Sequence, residues 1–123
     1  LHDHDGFLIE TCAGLLDGDD PAQCAKREAE EELGFRLSNL RFMTTTYMTP
    51  GAITERLSLF IADYDHDARV SAGGGEAHEG EDIEVLEIAF DEMRQMVKDG
   101  RITDAKTVML SLFLERELGL PPL

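Results

Sequence analysis

The run Arg27-Glu28-Ala29-Glu30-Glu31-Glu32-Leu33-Gly34-Phe35 can gather three carboxylates on one side of a helix. Glu28 lies three residues before Glu31 and four before Glu32, which is the spacing of neighbours on a helical face. Like charges so placed repel. Arg27, four residues before Glu31, offsets part of that repulsion, but one guanidinium cannot neutralise three carboxylates. Divalent magnesium or manganese can, because these hard ions prefer oxygen ligands, and magnesium is usually held by one or two carboxylates together with substrate phosphates. The competing reading is a solvated acidic helix face, which is common in acidic chains. Context favours the metal. The cluster occupies a short, sharply capped helix reached through Ala13-Gly14 directly from a strand-like run. A second acidic group, Glu79, Glu81, Asp82 and Glu84, stands on a distant loop that could fold over the same place.

The elements that must position these groups follow from local pattern. Residues 7–11 read as a strand leading through Ala13-Gly14-Leu15-Leu16 into the turn Asp17-Gly18-Asp19-Asp20. Asp20-Pro21 is a helix start, with Asp as N-cap and Pro at the first helical position. The helix should span 21–33 and stop at Gly34 in the left-handed cap conformation. Ala22, Ala25, Ala29 and Leu33 give it a slim apolar face. Strands are expected at 41–47 and 56–62, separated by Met48-Thr49-Pro50-Gly51. Residues 63–82, centred on Gly73-Gly74-Gly75, read as a surface loop, and 83–90 as another strand. Helices should follow at 91–98 and 104–118, closed by Gly100 and Gly119, with core-facing stripes of Met93, Met96, Val97 and of Val108, Met109, Leu112, Phe113. The expected fold class is α/β, a mixed β-sheet sandwiched between helices, in a single domain over residues 1–123.

Bulk properties narrow the function. The chain has 123 residues and a formal net charge of −15, with 42% hydrophobic residues. Its length suits one core. Nucleic-acid binding needs a basic footprint that is absent here, whereas a substrate with one or two phosphates is compatible if metal ions stand between it and the carboxylates. Cys12 and Cys24 show neither metal-ligand nor disulfide-rich spacing, which suits a reducing, cytoplasmic setting. No apolar run approaches a membrane span, and no targeting segment is visible. His2, His4, His66 and His78 are scattered and form no ligand motif, which sets aside a histidine-ligated metal hydrolase.

The sequence resembles the Nudix hydrolase family. That family's box is a glycine, five residues, Glu, seven residues, Arg-Glu, an aliphatic residue, any residue, Glu-Glu, any residue, Gly and an aliphatic or aromatic residue. Gly14 opens the box here, and Arg27-Glu28, Ala29, Glu31-Glu32, Gly34 and Phe35 match its second half position by position. The first half departs from the pattern: Asp20 stands at the early Glu position, and the gap to Arg27-Glu28 is one residue short. The resemblance implies a Nudix fold and makes Glu28 and Glu32 the principal ligands of Mg²⁺, or alternatively Mn²⁺, with Glu31 assisting. It makes the backbone carbonyl of Ala13 a further ligand and gives Arg27 the task of holding a helix carboxylate. Glu81, before Asp82-Ile83, takes the place of a late-loop glutamate that binds metal or accepts the proton of water, and Glu79 is its alternate. The implied reaction is attack of a metal-activated water on a phosphorus of a phosphoanhydride.

Pro50 lies fifteen residues after Phe35. By local chemistry Pro50-Gly51 is a turn between strands. In the family, a proline at this distance marks the branch acting on ADP-ribose and related nucleoside diphosphate sugars. Tyr47-Met48-Thr49-Pro50-Gly51, the stretch from Phe7 to Asp17, and Ala72-Gly73-Gly74-Gly75 look most like the GDP-mannose hydrolases of that branch. Met48, Pro50, Gly51 and Glu79 are therefore expected near substrate, GDP-mannose is favoured, and an ADP-ribose pyrophosphatase is the alternative. The branch also implies a homodimer of the full-length protein, with an N-terminal sheet region exchanged between subunits. Early strands preceding Phe7 are expected to be missing here. The rival classes are a Nudix-fold domain that binds nucleotide without cutting it, and an acidic interaction domain needing its carboxylates only for solubility.

Overall fold

A helix begins where Asp20 meets Pro21. In the computed structural model, whose described residues are 11, 20–47, 56–65, 67, 69–70 and 84–123, α1 spans Pro21–Glu32. The Asp20 carboxylate accepts the Gln23 N–H at 3.2 Å, a cap of the kind worth about 1 kcal/mol. Leu33 is the last residue with right-handed geometry, and Gly34, at φ 82°, turns the chain away. The Gly34 N–H reaches the carbonyls of Ala29 and Glu30, satisfying acceptors the helix end leaves open. A side chain at Gly34 would be strained by this positive φ.

The chain forms two compact units, Cys12–Val85 and Leu1–Thr11 with Leu86–Leu123. In the first, β1 (Ser38–Tyr47) and β2 (Arg56–Asp63) pair antiparallel, with register Thr46↔Leu57, Thr44↔Leu59, Phe42↔Phe60 and Ser38↔Asp63. Alternation on β2 buries Leu57 and Leu59 on one face. Both strands run past their expected ends. Asn39 makes the extension of β1 possible by taking φ 49° beside a register shift, a conformation Asn tolerates. Its side-chain amide donates to Asp63 at 3.1 Å, and Arg41 donates to the same carboxylate at 3.2 Å. The Asn39 hydrogen bond chiefly holds the Asp63 carboxyl below the usual carboxylate range; slight desolvation opposes it and Arg41 adds to it. α1 packs on β2, and the core of this unit is Cys24, Ala29, Phe35, Leu57 and Leu59.

In the second unit, α2 (Phe90–Lys98) and α3 (Ala105–Leu118) follow one another through a turn in which Gly100 has φ 84° and the Ile102 N–H returns to the Met96 carbonyl at 3.0 Å. Met96 and Ile102 are buried. Arg94, also buried, donates from Nε to Glu115 at 2.7 Å and from Nη2 to the Pro121 carbonyl, fastening α2 to α3 and to the chain beyond it.

Two expectations need correction. Residues 84–89 form no strand, and Phe90 begins α2 with Ala89 as its N-cap. An extended run needs a neighbour for its backbone groups, and no described segment pairs with this one. Asp91 and Glu92 meanwhile suit the first turn of a helix. The stripe Val108, Met109, Leu112, Phe113 is not the buried face of α3. Leu112 is exposed, the other three are half-buried, and the buried residues are Lys106, Thr107 and Ser111. Their burial is tolerated because Asp104 and Thr11 supply hydrogen-bond partners for Lys106 and Thr107. On α2, Met96 is buried while Met93 and Val97 are half-buried, as the pattern implies.

Candidate active site

Cys24, Glu28 and Glu32 succeed one another at intervals of four along α1 and so share one side of it. Cys24 is 2% exposed, and Glu28 and Glu32 are half-buried. Glu30 falls in the same half-buried range. By side chain, Glu28 is 22% exposed and Glu30, which meets Arg36 at 3.5 Å, is 44% exposed. Glu31 is half-buried as well.

Arg27 bridges this side and the next. Its Nη2 lies 4.0 Å from Glu28 Oε1 and donates to the Cys24 sulfur at 3.7 Å. A guanidinium so held limits the orientations open to Glu28. A depression of about 350 Å³ next to it is lined by Gln23, Lys26, Arg27, Glu30, Arg36 and Leu37. It shares only Arg27 with the candidate site, and it opens on the part of α1 that carries Gln23 and Glu30.

The box ends in a fixed anchor. Phe35 is 3% exposed, its ring lies 4.6 Å from that of Tyr64, and the Arg69 guanidinium sits 5.4 Å above it. A backbone bridge joins Phe35 to Arg69, and the Val70 N–H donates to the Gly34 carbonyl at 2.7 Å. The end of α1 is thus tied to the chain that follows β2.

The four helix residues expected in the site, Arg27, Glu28, Glu31 and Glu32, are all on α1. Ala13, Met48, Pro50, Gly51, Glu79 and Glu81 lie outside the described residues, as do Gly14 and all four histidines. Among the described residues, no three His, Cys, Asp or Glu side chains gather closely enough to hold a metal ion. The carboxylates of α1 are hard oxygen donors of the kind magnesium takes, and in donor chemistry they fit a share of such a site. Sequence pattern missed Cys24 as the most buried residue of this side. Its spacing, four residues before Glu28 and eight before Glu32, is the signal that would have located it.

A helix with this box, capped by Gly34 and packed on an antiparallel sheet, is a Nudix helix, and the sequence matches the NUDIX domain over residues 2–110. The chain belongs to the Nudix family and has its α/β fold. It is 49% identical over 110 residues to proteins named GDP-mannose pyrophosphatase from Escherichia coli O139:H28, Shigella flexneri serotype 5b and Escherichia coli O157:H7. In each case the match takes in 89% of this chain and 56% of the relative, so the chain spans little more than half the length of those proteins. No helix among the described residues is long and apolar enough to cross a membrane.

Proposed function

We propose that this protein is a divalent-metal-dependent pyrophosphohydrolase that splits the diphosphate of a nucleoside diphosphate sugar, with GDP-mannose favoured over ADP-ribose. The products are a nucleoside monophosphate and a sugar phosphate. The observation that carries this reading is the placement of Glu28 and Glu32 one turn apart on α1, both half-buried, inside a Nudix match. Carboxylates are hard oxygen donors of the kind magnesium takes, and these two stand at helical-neighbour spacing. The names of the relatives support the substrate class.

In this reading Glu28 and Glu32 would be the principal ligands of Mg²⁺, or alternatively Mn²⁺, with Glu31 assisting, the Ala13 carbonyl a further ligand, and Arg27 fixing a helix carboxylate. Such an ion would supply charge neutralisation at the phosphoryl oxygens and a more acidic water. Glu81, with Glu79 as its alternate, binds metal or takes the proton of the attacking water as its oxygen bonds to phosphorus and the bridging P–O bond breaks. Met48, Pro50 and Gly51 border the sugar. Both compact units belong to one Nudix domain, a reading supported by a family match that runs through both.

The substrate is tested by comparing kcat/KM of the full-length protein with Mg²⁺ for GDP-mannose, ADP-ribose, dinucleotide polyphosphates and oxidised nucleoside triphosphates. GDP-mannose should lead, since a site that hydrogen-bonds particular hydroxyls discriminates strongly against their absence. Preference for a triphosphate, or release of inorganic pyrophosphate, would overturn the assignment. The full-length protein should also be a homodimer, and a monomer at micromolar concentration in sedimentation equilibrium would contradict that.

A further inference from the structure

Lysine and arginine number 11 in this chain against 26 acidic residues, yet the depression on α1 has the opposite balance. Its lining of Gln23, Lys26, Arg27, Glu30, Arg36 and Leu37 brings three cations together with one carboxylate around about 350 Å³. Local structure explains the convergence. Gln23, Lys26, Arg27 and Glu30 recur at three- and four-residue spacing and share one side of α1. That side is about a third of a turn from the one carrying Cys24, Glu28 and Glu32. The Gly34 cap, with its N–H on the Ala29 and Glu30 carbonyls, then returns the chain so that Arg36 stands 3.5 Å from Glu30.

The geometry points to an anion-binding site on this side of α1 that takes a phosphate group, with Lys26 and Arg36 as its principal contacts. Both side chains are exposed, as are Gln23 and Arg27, so a solute can reach all four. The Arg36–Glu30 pair, with side chains 71% and 44% exposed, is of the solvent-screened kind that contributes little to stability. A guanidinium has five N–H donors, and only Nε faces Glu30. Its planar fork matches phosphate oxygens, lysine adds a point charge, and the Gln23 amide is a further donor. The net charge of −15 does not forbid this. Salt at physiological strength screens charges more than about 8 Å apart, so the lining sets the potential that a bound anion meets. Ligand pockets begin at about 300 Å³, which suits inorganic phosphate or a small phosphate monoester. The site goes beyond the metal-dependent hydrolysis proposed above and shares only Arg27 with it.

The test is a ³¹P NMR titration of full-length protein, without added divalent metal and at constant ionic strength, with inorganic phosphate and with glycerol 3-phosphate. Wild type should bind one equivalent with a Kd of about 1 mM or lower. Lys26→Gln and Arg36→Gln should each weaken binding about tenfold, the scale of one lost charge-assisted hydrogen bond. Both positions are exposed, so the thermal midpoint should stay close to that of wild type. Lys98→Gln removes the same charge from an exposed position on α2 outside the lining, and should leave the affinity unchanged. Equal affinity for the two probes assigns the site to the phosphate group alone, and tighter binding of the ester assigns it to a phosphate monoester. Either result supports the site when it is lost in the Lys26 and Arg36 variants. No binding by wild type, wild-type affinity in both lining variants, or an equal loss in Lys98→Gln would overturn it. So would a tenfold fall of kcat on GDP-mannose in Lys26→Gln or Arg36→Gln without phosphate present, roughly the loss of one charged contact to the reacting groups, because these cations would then belong to the catalytic site. If wild type turns over no substrate, the proposed function falls while the phosphate titration still decides this inference.

Discussion

Replacing Glu32 with Gln should lower kcat by about two orders of magnitude or more, the scale on which fixed electrostatic groups act, and leave the fold intact. The side chains are isosteric and have nearly equal helix propensity. The substitution also removes like-charge repulsion with Glu28 across one turn, worth a few tenths of a kcal/mol. Stability should therefore stay within about 0.5 kcal/mol of wild type, while activity at saturating Mg²⁺ collapses. That split separates a ligand from a solubilising charge. If these carboxylates only kept an acidic protein in solution, Glu32→Gln would retain full activity, and steady-state kinetics beside thermal denaturation would show it.

Phe35→Ala should produce the largest loss of stability. Truncating a buried phenylalanine costs about 3–5 kcal/mol. The lower end applies here because two of the ring's neighbours, Tyr64 and Arg69, are themselves exposed and can close part of the gap. A loss of about 3 kcal/mol corresponds to more than ten degrees in Tm for a domain of this size. The damage should reach the site, since Phe35 directly follows the Gly34 cap of α1 and carries the bridge to Arg69. Phe35→Leu keeps most of the buried area and should recover most of the loss. A drop below about 1 kcal/mol for Phe35→Ala in urea denaturation would show that the ring does not anchor the helix.

What could be read from the sequence divides by the range of the interaction behind it. Helix α1 was legible at both ends because Asp20-Pro21 and Gly34 act on adjacent backbone. The end of α2 and both ends of α3 followed from the same kind of signal, with Gly100, Asp104 and Gly119 falling at the helix ends. The buried side of α1 was only half legible. The apolar pattern picked Ala22, Ala25, Ala29 and Leu33, whereas Cys24 and Ala29 are the buried residues and Ala22, Ala25 and Leu33 are half-buried. A helix side that includes two half-buried glutamates does not register as an apolar stripe. Residues 83–90 are an apolar-rich run that reads as a strand, but such a run does not supply a partner, and its described part is irregular before it turns helical. The polar face of α3 was the least accessible, since Lys106 and Thr107 are acceptable inside only with Asp104 and the distant Thr11. Of the site, the α1 residues can be followed from sequence into structure, whereas the roles of Ala13, Glu79, Glu81 and the Met48–Gly51 turn rest on the family resemblance.

The most direct test of the central claim, metal-dependent cleavage between the two phosphorus atoms, is hydrolysis of GDP-mannose by the full-length protein in ¹⁸O-labelled water, with Mg²⁺ or with a chelator. Mass spectrometry should find GMP and mannose 1-phosphate, with one labelled oxygen on the phosphate of one product, and no turnover once the metal is removed. Formation of GDP and free labelled mannose, which places attack at the sugar carbon, or undiminished turnover in the chelator, would contradict the account.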